Sequence, residues 1–116
     1  MMRRGEVRLV EFDPGRGSEA NKRRPAVVVS NDQANAVAER LGRGVVTVVP
    51  VTSNTARVFP FQVLLDAQDT GLHVDSKAQA DQVRAVSVDR LGPALRRLPS
   101  KALGALDDAL RLHLAL

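Results

Sequence analysis

At 116 residues, 44% of them hydrophobic and none cysteine, the chain suits one compact domain over 1–116. It excludes disulfide frameworks, thiolate nucleophiles and sulfur-ligated metals, in keeping with a reducing cytoplasm. A net charge of +4 favours a polyanionic partner, while the lack of Tyr and Trp, with only three Phe, excludes a broad aromatic platform for stacking many bases.

The N-terminal MMRRGEVRLVEFD has basic residues but no apolar h-region behind them, and no apolar run approaches a membrane span, so a soluble cytoplasmic protein with no membrane partner is expected. GEVRLVEF (5–12) is rich in β-branched and large apolar residues and stops at Asp13-Pro14-Gly15, which predicts a strand and a turn. The polar, glycine-punctuated DPGRGSEANKR (13–23) reads as a functional loop. In PAVVVS (25–30) the proline cannot donate to a ladder and marks the first residue of a second strand, placing Arg24 at its entrance. NDQANAVAERLG (31–42) has an Asn/Asp start, helix-forming alanines and a glycine stop, and predicts a short helix. GVVTVVPVTSN (44–54) is a continuous β-branched run, a strand buried along most of its length, closed by Thr52-Ser53-Asn54.

A second polar loop carrying Arg57 leads to FQVLLD (61–66), a strand with Phe61, Val63 and Leu65 on one face. SKAQADQVRAVSV (76–88) suits a helix by its alanine, glutamine and lysine and a strand by the alternation around Val86 and Val88. GPALRRL (92–98) predicts a last strand. After it Pro99-Ser100 offers an N-cap to a helix lined by Leu103, Leu106, Leu110 and Leu114, with Asp107 set to pair Arg111 four residues on.

The charge is unevenly placed: residues 1–58 hold ten Lys/Arg against six Asp/Glu, and residues 59–116 hold seven of each. Any basic function is therefore expected in the first half, and since most of the cations are arginine, whose planar fork matches phosphate oxygens, phosphate is the ligand to test. Arg24 is either a solvated charge before a strand or a group held on a rigid platform by Pro25 and the valines behind it. Thr52 and Ser53 taken alone read as turn residues. His73 and His113 lie far apart and read as structural or surface residues, Arg96-Arg97 as a solvated strand end. Adjacent carboxylates Asp107 and Asp108 point apart on a helix, so no metal site is expected.

GEVRLVEFDPGRGSEANKRRPAVVVSND, then VVPVTSN, FPFQVLL and ADQVRAVSVDRL, in that order from Gly5 to about Leu91, resemble the MazF/PemK family of toxin endoribonucleases. The resemblance implies a mainly β fold with a C-terminal α-helix, a small SH3-like β-barrel of the MazF/PemK/CcdB-like kind. It also implies a homodimer, a cognate antitoxin, and cleavage of single-stranded RNA at short sequences without metal or other cofactor. In that fold 76–88 would be mostly strand. Catalysis would rest on Arg24 of the Arg-Pro pair and Thr52, with Glu19 at an acidic position implicated in some members and Ser53 as an auxiliary donor. Lys22, Arg23 and Arg57 would widen the positive field along the RNA, and Gln82 and Arg84 match a motif near the RNA-binding face, though a sheet-stabilising role fits them equally. Some members carry a histidine immediately before the catalytic arginine; here that residue is Arg23.

Metal-free RNA cleavage needs charge stabilisation at phosphorus, a proton acceptor and a proton donor. Arginine suits the first role but is a poor base; Glu19 is chemically better if its loop brings it near, the resemblance implies that the arginine takes part in proton transfer as well, and threonine is too weak an acid to be the donor of choice. The alternative from another class is a non-catalytic toxin or binding module on the same fold, acting on a protein such as DNA gyrase.

Overall fold

The computed structural model describes residues 1–13 and 22–116. Seven strands, β1 (Glu6–Asp13), β2 (Lys22–Val28), β3 (Val45–Thr52), β4 (Gln62–Leu65), β5 (Ser76–Gln79), β6 (Arg84–Ser87) and β7 (Leu91–Arg97), alternate with α1 (Asp32–Leu41), α2 (Ala67–Thr70) and α3 (Ser100–Leu114). The strands form one antiparallel sheet in the order β4-β5-β3-β2-β1-β7, with β6 also paired to β3. The expected mainly β class with a C-terminal helix holds, but the sheet is not closed into a complete barrel: α2 packs against β7 and α3 against β4 at the two ends of the path.

The valine runs are continuous because both faces of the sheet are covered. Val7, Val27 and Val49 stand opposite one another across β1, β2 and β3 and pack with Leu65, Leu106, Ala109 and Leu110 under α3. Their neighbours Val10, Ala26, Val28, Val46 and Val48 point the other way and pack with Met2, Phe12 and Ala38 of α1. A one-residue slip would exchange these sets, so two cores hold one register.

Helix α1 is bounded as its sequence predicts: Asn31 Oδ1 accepts from Ala34 N at 2.8 Å, and Gly42 ends it in the left-handed region at φ 64°. Inside its first turn, fully buried Asn35 donates to Ser30 O at 2.8 Å, tying the helix to the end of β2.

The ambiguous 76–88 segment is mostly strand, two short strands around a 3-10 turn at Ala80–Gln82. Pairing to β3 on both sides overrides its helical propensity. Two local expectations for α3 are corrected. Pro99, with no side-chain bond, is the cap residue and Ser100 is already helical. Arg111 pairs with Asp108 at 3.0 Å, not Asp107, because Arg4 takes Asp107 at 2.6 Å and also donates to Val29 O at 2.8 Å. Leu114 lies exposed near the helix end, beyond the face formed by Leu103, Leu106 and Leu110.

Candidate active site

The site is built by two prolines. Gly5 N donates to Val28 O at 2.7 Å and Val29 N donates to Thr47 O at 2.9 Å, so even-numbered residues of β2 address the β1 side and odd-numbered ones address β3. The nitrogen of Pro25 therefore faces β3, where any other residue would donate to Val51, and it has no hydrogen to give. The β2–β3 ladder duly stops at Ala26↔Pro50. Pro50 in turn sits where β3 changes partner on its other edge, from β6, last paired at Val48↔Arg84, to β5, first paired at Val51↔Ala78. Beyond the prolines the sheet splits and a cleft of about 740 Å³ opens.

Carried past its last pair, the register brings Arg24 across from Thr52 on one sheet face, and both line the cleft. Strand β2 begins at Lys22 rather than Pro25, which corrects the expected strand entrance: Arg24 lies within the strand, paired with Val10. Its position is thus set by β1, one side of the chain, while the other side is open. Its exposed guanidinium makes no hydrogen bond or ion pair among the described residues. Thr52 Oγ1 accepts from Asn54 N at 3.3 Å, which leaves the hydroxyl hydrogen free to donate to a ligand.

Ser53, Gln82 and Arg84 line the same cleft. Arg84 stands with its guanidinium 5.0 Å from the centre of the Phe12 ring, a cation–π contact that holds the charge without neutralising it. Arg90 donates to Phe12 O at 2.8 Å and so secures the end of β1 beneath that ring. With two arginines and no described carboxylate along its lining, the cleft suits an anion.

His73 is a lining residue that the sequence did not mark. It belongs to the segment joining α2 to β5, turned at Gly71 (φ 78°), and its place beside Arg24 and Thr52 exists only through the fold. His73 is exposed, as expected of a surface residue, and its exposed side chain lies on the cleft lining. Lys77 was equally silent in sequence: it pairs with Thr52, is 7% exposed, and its ammonium donates to Arg57 O, pinning the loop that follows β3.

Other expected residues stand elsewhere. Arg23, adjacent to Arg24 on a strand, points to the opposite face and lies beside Gly92. Arg57 sits 5.6 Å over the Phe59 ring, which stacks on Phe61 at 5.4 Å, and neither Arg23 nor Arg57 lines the cleft. Glu19 and the side chain of Lys22 lie outside the described residues. His113 packs 6.3 Å from Phe61.

The charge count also needs redistribution, since Arg4 and Arg8 of the basic half are engaged by Asp107 and Glu6, while Arg84 of the neutral half reaches the cleft. Among the described residues no three His, Asp or Glu side chains cluster as a metal site would require, and no helix is long and apolar enough to cross a membrane. A second depression of about 630 Å³, between α1 and the start of β3, is lined by Val37, Leu41, Val45 and Arg43 with other α1 residues and offers no group for proton transfer.

Comparison with known proteins places these features in a group. A family model described as PemK-like, MazF-like toxin of type II toxin-antitoxin system matches residues 3–114. The chain is 64% identical over 116 residues to the endoribonuclease MazF9 of Mycobacterium tuberculosis (strain ATCC 25618 / H37Rv), covering 100% of this chain and 98% of that one. It superposes on MazF from Deinococcus radiodurans with a TM-score of 0.74 at 30% identity, covering 99% and 97% of the two chains. A mycobacterial endoribonuclease solved in complex with its cognate antitoxin shares the fold, with a TM-score of 0.77 at 24% identity over 100% and 97%.

Proposed function

This chain belongs to the PemK-like, MazF-like toxin family of type II toxin-antitoxin systems, and from that membership we propose that it is an endoribonuclease toxin that cuts single-stranded RNA. The observation that carries the reading is that Arg24 and Thr52, just past the last β2–β3 pair, line one cleft with no described carboxylate.

The cut is a transesterification. The ribose 2′-oxygen attacks the adjacent phosphorus, the bond to the 5′-oxygen breaks, and the products are a 2′,3′-cyclic phosphate and a 5′-hydroxyl end. Arg24 forks onto the non-bridging oxygens, where negative charge develops. Thr52 donates to one of them and holds the phosphate in line, with Ser53 as a further donor. Glu19 takes the 2′-hydroxyl proton. Gln82 and Arg84 hold the flanking nucleotides, and Lys22, Arg23 and Arg57 add positive potential along the approaching strand.

No metal or cofactor takes part. The whole chain acts as one cytoplasmic toxin domain, works as a homodimer, and is neutralised by a cognate antitoxin whose acidic, partly disordered segment competes for the same positive surface.

The test is incubation of a long single-stranded RNA with purified protein in EDTA, with Arg24→Ala and Thr52→Ala in parallel and the new ends mapped. Cuts at a recurring short sequence bearing 5′-hydroxyl ends, lost in both variants while their folds persist, are expected. Intact RNA with the wild type, or toxicity that survives both substitutions, would overturn the reading and direct attention to a protein target such as DNA gyrase.

A further inference from the structure

We propose that His73 is the general acid of the cleft, giving its proton to the departing 5′-oxygen. The inference rests on the ribonuclease reading above and supplies what that reading lacks. The reaction needs a proton for its leaving group, and the residues described around the phosphate position do not hold one. Arg24 and Arg84 keep their protons too tightly to be useful donors, Thr52 and Ser53 are weaker acids still, and Gln79 and Gln82 exchange none. Histidine is the side chain whose proton exchange spans ordinary working pH, and His73 is the histidine that lines this cleft.

Its surroundings suit the role. The segment 71–75 brings His73 to the cleft, with Leu72 and Val74 lining beside it, and the imidazole is exposed and makes no hydrogen bond among the described residues, so both ring nitrogens are open to substrate. Arg24 from β2 and Arg84 from β6 share the cleft lining with it, and Arg96 of β7 packs against Gly71, two residues before it. Asp75 is engaged elsewhere, accepting from Ala67 N at 2.9 Å.

The step balances with the groups named. The bond from phosphorus to the 2′-oxygen forms and the bond to the 5′-oxygen breaks. The 2′-hydroxyl proton goes to the base assigned above, and the imidazolium of His73 protonates the leaving oxygen.

A leaving-group experiment tests this directly. His73→Ala and His73→Gln are compared with wild type on one RNA oligonucleotide containing the cut site and on a copy whose scissile 5′-oxygen is replaced by sulfur, which departs as a thiolate and needs no proton. On ordinary RNA both variants are expected to lose on the order of a hundredfold or more in kcat, the usual scale of general acid catalysis, with KM little changed. On the sulfur substrate they are expected to approach the wild-type rate. A full rate on ordinary RNA, or equal slowing on both substrates, would overturn the assignment while leaving the ribonuclease reading intact. A wild type that cuts neither substrate would bring down that reading itself, and this proposal with it.

Discussion

β3 behaves as two strands in one. Its first part is held by β6 over Val45–Val48 and by β2 over Val48–Pro50, with Val46, Val48 and Val49 almost wholly buried. From Val51 onward β2 has left it, β5 has replaced β6, and its free edge borders the cleft. The first part is rigid because Val46, Val48 and Val49 are buried in the apolar clusters on the two faces of the sheet. The second part is available to a ligand because Pro25 has withheld one hydrogen bond. Rigidity and access are thus separated by two residues along one strand, and Arg24 and Thr52 stand just past the boundary.

This contrast can be broken from either side. The largest expected effect is on the open side: Arg24→Ala should lose a hundredfold or more in cleavage, about 3 kcal/mol on the scale of an oxyanion donor, with its melting temperature unchanged because the side chain is exposed and packs no core. Next, on the closed side, Val49→Ala should cost about 2 kcal/mol of unfolding free energy by urea titration while leaving the cut sequence the same. The boundary itself is tested by Pro25→Ala. If the missing donor is what splits the sheet, the substitution should extend the ladder toward Arg24↔Thr52, protect the new amide from hydrogen exchange, and slow cleavage by up to about tenfold, since one backbone hydrogen bond contributes about 1 kcal/mol. Unprotected exchange at residue 25 would show that the split has another cause. The smallest effect should come from Phe12→Leu, which removes the ring under Arg84. A loss of about 0.5–1 kcal/mol in RNA affinity, with kcat preserved, would place Arg84 in binding rather than in the chemical step.

Much of this was legible in the residues. Strand β1, the valine strands, capped α1 and the leucine face of α3 follow from periodicity and from Asn31, Gly42 and Leu106, all of which act locally or through simple burial. Arg24 and Thr52 were legible through an ordered family pattern, not through their own spacing. The reading went astray where a distant partner decided the outcome. Arg111 lost Asp107 to Arg4, a residue more than a hundred positions away, and Arg23 turned from the cleft because β2 begins three residues before the proline that was expected to start it.

What the sequence alone determined is β1, the valine strands, α1 and α3, the burial of β3 along most of its length, and the chemical type of the site. Those depend on hydrophobic period, caps and the arginine fork, which are properties of neighbouring residues. Tertiary structure alone decided that the pairing register faces Arg24 with Thr52, that Arg84 rests on Phe12, and that His73 joins them. Each of these juxtapositions is set by strand pairing or by a turn that folds a remote segment onto the sheet, and no local pattern in the chain encodes where such segments meet.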